Sequence, residues 1–238
     1  GIGRPEQYVT IYSGMETQQY LNPRWSRADV RHELGFDEND FVLGTIARLA
    51  ELKGHDDLLD ALGSLLRDHA NVKVLWVGDG WWRDRLMGRV KEMGLSDHVL
   101  TTGLVPSDEI PKYLQAMDVL VHPSCREGLP RTVVQAMLCE RPVIAYDVDG
   151  TREVCIDQVT GRLIQPGNLA ALRSAAVELM NDSSKRTKMA RVGRSMCTKR
   201  FDAKQMVDNL EHVYAGVPEK ISYPRVEHST AVETARPD

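Results

Sequence analysis

One carboxylate, Glu127, follows a predicted strand and precedes a predicted helix. Residues 118–146 read DVLVHPSCREGLPRTVVQAMLCERPVIAY, which is an apolar run, a turn containing glycine, a helical stretch and a second β-rich run. In an open parallel sheet, ligands bind where loops leave the carboxyl ends of strands and helices begin. We therefore expect Glu127 to lie at a ligand-binding edge.

The residues after Glu127 could receive a phosphate. Gly128 permits close backbone approach, and residues 129–133 are predicted to open a helix whose first N–H groups are free to bind an anion. A carboxylate accepts hydrogen bonds from sugar hydroxyls but repels phosphate, so Glu127 would face the sugar end of a ligand that carries both. The alternative is that Glu127 caps its helix and the loop is an ordinary one.

Two cations, Arg48 and Lys53, lie at another predicted strand-to-helix junction. They follow an apolar strand pattern at residues 41–47 and precede leucines at helical spacing in residues 56–66. Arginine can neutralise a diphosphate as a bidentate fork and lysine as a point charge. Surface cations are common, so this prediction depends on the Glu127 segment as well.

The composition is that of an ordinary globular protein. The chain has 238 residues, 42% of them hydrophobic and 27% charged, which allows one large or two small domains. The net charge of −4 gives no reason to expect nucleic acid as a partner. No apolar run approaches the roughly 20 residues of a membrane span, and the first residues lack the apolar centre of a signal peptide. Four scattered cysteines predict reduced thiols and a cytoplasmic location.

Strand patterns alternate with helical ones along the chain. This order predicts an α/β fold, a Rossmann-like doubly wound parallel sheet with helices on both faces. Further strands are predicted at residues 9–12, 72–77 and 99–102, and a turn at Thr160 and Gly161. Gly78 and Gly80 would let the backbone approach a ligand, although two glycines are a weak signal. Trp81 and Trp82 are predicted to begin a helix that reaches residue 93 and to pack rather than stack on a ligand.

One helix is predicted early in the chain, at residues 26–34, and from residue 169 onward the chain is predicted to be helical. The later helices are expected at residues 169–180, 184–200 and 203–214, with Asp182, Ser183 and Asp202 as caps. A basic run on the second of these later helices is predicted to be a solvated helix face, and peripheral contact with a membrane is the alternative. The run consists of Lys185, Arg186, Lys188, Arg191, Arg194, Lys199 and Arg200.

The 118–146 segment resembles the signature of the retaining family-four (group 1) glycosyltransferases, which have the two-Rossmann-domain B fold. That signature reads Glu-Gly-Phe-Gly, four variable residues, then Glu-Ala-Met-Ala-Cys-Gly-x-Pro-Val-Ile-Ala, and this chain has EGLPRTVVQAMLCERPVIA. The second glutamate of the family is Gln135 here. Arg48 and Lys53 resemble the family's Gly-Arg-Leu-x-x-x-Lys-Gly element, and residues 9–23 resemble its interdomain crossover.

The resemblance implies transfer of a hexose from a UDP- or GDP-sugar with retention at the anomeric carbon, and a nucleotide sugar as the bound partner. Glu127 would be the catalytic residue that contacts the donor sugar. The diphosphate would be bound by Arg48, Lys53, Gly128, Leu129, Arg131 and Thr132. The base and ribose would be bound by Gly78, Leu104, Val105, Pro106, Ile110 and Gln135.

No metal and no cofactor is expected. Asp147 and Asp149 imitate a metal-binding Asp-x-Asp, but they occupy the family's Asp-x-Gly-Gly-x-x-Glu position after a strand, which favours a loop or capping role. The family's catalytic histidine belongs to its other domain, so the resemblance nominates none of the seven histidines.

The resemblance also predicts the domain organisation. Residues 1–25 would be an interdomain crossover, 26–216 the donor-binding domain and 217–238 a disordered tail. An N-terminal domain that binds a sugar or lipid-linked acceptor is expected to be missing, so the chain alone would be inactive. A noncatalytic nucleotide-sugar-binding module, or an epimerase or phosphorylase relative on the same fold, remains an alternative.

Overall fold

The computed structural model describes residues 4, 7–216, 218, 221 and 223. Its centre is one parallel sheet with the strand order β3-β2-β1-β4-β5-β6. The strands are β1 (Phe41–Ile46), β2 (Val72–Val77), β3 (Val99–Thr101), β4 (Val119–His122), β5 (Val143–Tyr146) and β6 (Gly161–Ile164). The order reverses between β1 and β4, because the chain first builds outward on one side of β1 and then returns to its other side. That reversal is the topological switch point of a doubly wound fold.

Helices cover both faces of the sheet, which confirms the predicted fold class. On one face, the buried core includes Tyr20, Val30, Leu114, Val133 and Cys197. On the other face, it includes Leu58, Leu62, Leu86, Val90 and Leu172. The helices are α1 (Gln18–Leu21), α2 (Arg27–Glu33), α3 (His55–Asp68), α4 (Arg83–Glu92), α5 (Ile110–Ala116), α6 (Arg131–Leu138), α7 (Leu169–Asn181), α8 (Ser183–Arg200) and α9 (Ala203–Tyr214).

The strand predictions succeeded where both faces of a strand are buried. The apolar runs of β1, β2, β4 and β5 are buried along nearly their whole length, as is typical of a parallel sheet covered by helices. The predicted turn at Thr160 and Gly161 is half right, since Thr160 ends a turn and Gly161 begins β6. The predicted strand at residues 9–12 is wrong. Tyr12 instead packs its ring edge-on against Phe201 at 5.3 Å between centroids.

The helix predictions are confirmed to within a few residues, and two of the three predicted caps are confirmed. The Asp182 side chain accepts from the N–H of Lys185, and Asp202 accepts from Lys204 and Gln205. Ser183 is the first helical residue rather than a cap. The helix predicted to begin at the two tryptophans begins at Arg83. The disordered tail was predicted for residues 217–238, which lie mostly outside the described part of the chain. Tyr223, which is described, packs on Tyr12.

A buried charge cluster joins α2 to the amino end of the sheet. Arg31, which is buried, pairs with Asp118 at 2.7 Å and donates to the carbonyls of Ala116 and Asp40. Arg27 pairs with the other oxygen of Asp118 at 2.6 Å. Because Asp118 also accepts from the N–H of Val42 at 2.8 Å, it holds the starts of β1 and β4 together. This cluster lies at the edge of the sheet opposite to the switch-point loops.

The basic run on α8 is partly used in packing. Arg186 donates to the carbonyl of Met180 at 3.3 Å, and Lys185 pairs with Glu178 of α7. Arg194 donates to the carbonyl of Leu21 at 2.7 Å. The predicted solvated face therefore applies only to part of the run. Within the described residues, none of the helices is long and apolar enough to cross a bilayer.

Candidate active site

The loops after β1 and β4 meet at the switch point. Gly54 has a left-handed backbone, with φ of +72°, and a Cβ there would lie 2.0 Å from the carbonyl oxygen of Pro123. The carbonyl of Leu52 accepts from the N–H of Cys125 at 2.8 Å and from the Ser124 hydroxyl at 3.2 Å. These contacts require glycine at position 54, because any side chain would separate the two loops.

Lys53 and Glu127, one from each loop, form an ion pair across the switch point. Lys53 Nζ lies 2.6 Å from Glu127 Oε1 and 3.3 Å from Ser124 Oγ. Burial alone would raise the pKa of the Glu127 carboxyl, but its close polar contacts with His122, Lys53 and Ser124 outweigh this effect and lower the pKa to about 2. Glu127 is therefore a carboxylate at neutral pH. It does not cap α6, because it stands four residues before Arg131, the first residue of that helix.

The loop after β5 supports the Glu127 loop from the other side. Asp149 Oδ2 accepts from the backbone N–H of Glu127 at 2.8 Å, and Gly150 donates to the carbonyl of Gly128 at 3.1 Å. Asp149 has a positive φ of +42°, in the left-handed backbone region that favours glycine. Asp147 instead pairs with Arg152 at 2.8 Å. The two aspartates thus have separate structural partners.

Two buried histidines stand behind the ion pair, and the sequence did not single them out. His122 ends β4, and its Nε2 lies 3.2 Å from Glu127 Oε1. His55 begins α3, and its ring meets Trp76 edge-on at 5.1 Å between centroids. Burial lowers the pKa of His55 to about 4, with smaller contributions from neighbouring charges. His55 is therefore neutral at neutral pH.

Arg48 lies apart from this cluster, on the exposed rim. Its guanidinium stands 5.5 Å from the ring centroid of Trp81, which is 68% exposed. The prediction that both tryptophans pack is right for Trp82, which packs against the core, and wrong for Trp81. An aromatic face beneath a guanidinium restrains it in a position open to the cleft.

Helix α6 presents Arg131, Thr132 and Gln135 on the face that is not buried in the core. Helical spacing places Gln135 one turn after Arg131, so the two side chains lie on the same face of α6. Pro130 precedes the helix and has no N–H to offer an anion, so the donors available there are those of Gly128, Leu129, Arg131 and Thr132.

The loops after β2 and β3 complete the same edge of the sheet. Gly78 donates to the carbonyl of Gly103 at 3.1 Å, and a Cβ on Gly78 would lie 2.2 Å from the carbonyl of Ala47. This glycine is therefore required by the neighbouring loops. Leu104 is 85% exposed, whereas Ile110 packs partly against the core. Val105 is half-buried and Pro106 is exposed.

Comparison with known proteins identifies the family. The family model described as glycosyl transferases group 1 matches residues 26–196. The chain belongs to this family. It is 34% identical over 160 residues to the 2-deoxystreptamine glucosyltransferase of Streptomyces kanamyceticus. It is 32% identical over 182 residues to the 2-deoxystreptamine N-acetyl-D-glucosaminyltransferase of Streptomyces fradiae.

Solved structures give the same fold. HepE from Anabaena, solved in complex with UDP and glucose, superposes with a TM-score of 0.80 at 29% identity, over 90% of this chain and 58% of that one. A C-terminal domain of a group 1 glycosyl transferase from Francisella tularensis, at 24% identity, shares the fold with a TM-score of 0.71 and is covered over 99% of its length. The two Streptomyces relatives align over 67% and 75% of this chain, which spans only 41% and 43% of their length.

Proposed function

We propose that this chain binds the nucleotide-sugar donor of a glycosyltransferase that transfers a hexose from a UDP- or GDP-sugar with retention at the anomeric carbon. The observation that carries the proposal is the pairing of Lys53 with Glu127 at the switch point, within reach of the first turn of α6. Cationic and anionic groups are thus side by side, as a ligand with a diphosphate and a hydroxyl-bearing sugar requires.

The diphosphate would lie against Lys53, Arg48 and the N–H groups around the start of α6. As the bond between the anomeric carbon and the phosphate oxygen breaks, negative charge accumulates on the leaving diphosphate. Fixed cations and N–H dipoles stabilise that charge more than they stabilise the intact donor, which lowers the barrier. Solved complexes of the relative HepE contain UDP and glucose, which supports a ligand of this class.

Glu127 would orient the sugar. Its lowered pKa keeps it ionised, so it accepts hydrogen bonds from hydroxyls and favours the positive charge that develops on an oxocarbenium-like sugar. The base and ribose would extend over Gly78 and the exposed segment at Leu104, with Gln135 facing the ribose. Acceptor recognition would belong to residues outside this chain.

Donor binding is proposed to need no metal ion. Lys53, Arg48 and the helix terminus already supply positive charge. Asp147 and Asp149 are committed to Arg152 and to the Glu127 backbone, which supports a structural role for both. Within the part of the chain that the structure describes, no group of three or more potential ligand side chains could hold a metal.

Isothermal titration with UDP, GDP, UDP-glucose and GDP-mannose tests the proposal. We expect one nucleotide series to bind, the sugar-bearing member to bind more tightly than the free diphosphate, and Glu127→Ala to remove that difference while sparing the diphosphate. Absence of binding by every member would refute the proposal. A noncatalytic module would bind equally well, and it is distinguished by the absence of transfer in the full-length protein.

A further inference from the structure

His122 is buried at the centre of the site, where the proposed function gives it no role. His122 is only 4% exposed. Its Nε2 lies 3.2 Å from Glu127 Oε1, and its Nδ1 lies 3.4 Å from the Thr132 hydroxyl oxygen. The ring therefore lies between the carboxylate that would meet the sugar and the first turn of the helix that would meet the diphosphate.

The chemistry of its two neighbours determines the tautomer of the imidazole. A carboxylate only accepts hydrogen bonds, so the nitrogen that faces Glu127 must carry the proton. In a neutral ring, the other nitrogen is then an acceptor, and the Thr132 hydroxyl can donate to it. The Glu127 carboxylate thus fixes the ring form, and the Thr132 hydroxyl, which can donate or accept, fits that form as a donor.

The contact between His122 Nε2 and Glu127 Oε1 is close but poorly aligned for a hydrogen bond. Nε2 is shielded from solvent, and among the described residues it has no hydrogen-bond partner of good geometry. A buried N–H without a partner is unfavourable, so a small movement of the Glu127 carboxylate toward the ring would be stabilised.

Binding of the nucleotide sugar would favour this movement of the Glu127 carboxylate. Lys53 and His122 both approach Oε1, so a sugar hydroxyl would approach Oε2. A diphosphate competes with Glu127 for Lys53, because both are anions within reach of one ammonium group. As Lys53 turns toward the phosphates, His122 remains to hold the carboxylate.

We infer that His122 is a positioning residue that holds the Glu127 carboxylate for the donor sugar while Lys53 serves the diphosphate. The inference rests on the proposed function. It gives the hydroxyl of Thr132 a role as the partner of His122 Nδ1, in addition to the N–H that Thr132 would offer to the phosphates.

The test uses two amide replacements. His122→Gln can place its amide nitrogen near the position of Nε2, whereas His122→Asn reaches only the position of Nδ1. The readout is the sugar increment, defined as the Kd for UDP divided by the Kd for UDP-glucose, or the GDP and GDP-mannose equivalent if wild type binds that series. We expect His122→Gln to keep the increment within about twofold and His122→Asn to reduce it by about fivefold or more, with the Kd for the free diphosphate unchanged in both.

A full increment in His122→Asn would overturn the inference. So would equal weakening of the diphosphate and the sugar donor, since that outcome indicates a purely structural role. His69→Gln, at an exposed position outside the site, is the matched control, and thermal unfolding verifies that each variant is folded.

A second measurement needs no ligand. Imidazole ¹⁵N shifts in the free protein should show His122 protonated on Nε2, because that nitrogen faces the Glu127 carboxylate. A ring protonated on Nδ1 in wild type would refute the inference. If wild type binds neither nucleotide series, the proposed function fails while this spectrum still tests the His122 geometry.

Discussion

Gly54 lies in backbone contact with Pro123, and this contact fixes the distance between the loops that carry Lys53 and Glu127. A Cβ on Gly54 would be 2.0 Å from the Pro123 carbonyl oxygen, a separation that real Cβ atoms do not adopt. The carbonyl belongs to the backbone, so it can move only if the loop after β4 moves with it. The separation of the ion-paired side chains is therefore set by the main chain.

Replacing Gly54 by alanine should disturb the site more than backbone strain alone can explain. Gly35 is the matched control, since its φ of +74° is similar and no atom lies within 4 Å of its Cβ position. We expect Gly35→Ala to cost about 1 kcal/mol of unfolding free energy, and Gly54→Ala to cost more and to weaken nucleotide-sugar binding. Denaturant unfolding and calorimetry measure the two effects. Equal losses of unfolding free energy and equal nucleotide-sugar affinities in the two variants would contradict the prediction.

The stability contributed by Glu127 should disappear in acid. Its pKa is lowered from 4.5 to about 2, because hydrogen bonds to the charged form outweigh the effect of burial. A lowered folded-state pKa means that the stabilisation is complete above about pH 5.5 and is lost as the pH falls through 4.5 toward 2. The unfolding free energy of wild type should exceed that of Glu127→Gln by about 1 kcal/mol at neutral pH. Thermal unfolding at several pH values should show this difference disappearing as the pH falls from 4.5 toward 2.

The exposed residue Glu92 supplies the control for this pH series. Glu92→Gln should follow the wild-type curve at every pH. A gap between wild type and Glu127→Gln that stays constant down to pH about 2 would show that Glu127 is not held in its charged form by the folded protein.

Arg48 and Lys53 should each contribute to diphosphate affinity. Removing one charge-assisted contact costs about 1.5 to 3 kcal/mol, so Arg48→Ala and Lys53→Ala should each raise the Kd for UDP or GDP by about 10- to 150-fold. Lys91→Ala, on the exposed face of α4, should have no effect. Calorimetry that finds unchanged affinity in both site variants would exclude this diphosphate position.

Donor binding should not depend on divalent metal. EDTA and manganese are expected to change the Kd by less than about twofold, because the cations and the helix terminus neutralise the diphosphate. The prediction fails if manganese gives a gain of about tenfold that Asp147→Ala abolishes. Arg152→Ala, which removes the partner of Asp147 without removing the carboxylate, is the matched control.

Gln135 should contact the ribose in place of the family's glutamate. An amide offers one acceptor and one donor group to a vicinal diol, so Gln135→Glu should change nucleotide affinity by less than about tenfold. Gln135→Ala should weaken the ribonucleotide and have little effect on its 2′-deoxy analogue. If calorimetry finds both ligands unaffected, Gln135 is only a helix residue.

Local pattern determined the sheet and the positions of the main charged residues. Buried parallel strands are continuous apolar runs, so β1, β2, β4 and β5 could be recognised without knowledge of their neighbours. Because the carboxyl ends of parallel strands share one edge, Arg48, Lys53 and Glu127 could also be assigned to that edge. The strand β6 was missed because its four residues begin with glycine, which is also a signal for a turn.

Only the tertiary structure decided which groups touch. Lys53 and Glu127 are 74 positions apart, and they meet because β4 returns to the side of β1, a choice of strand order that no local pattern encodes. The same packing places Asp149, which belongs to a sequence that imitates a metal-binding motif, where its carboxylate accepts from the backbone N–H of Glu127. It also buries His122 beside the Glu127 carboxylate. Residue type and spacing specify what a side chain can donate or accept, whereas its partner is determined by the order in which the strands assemble.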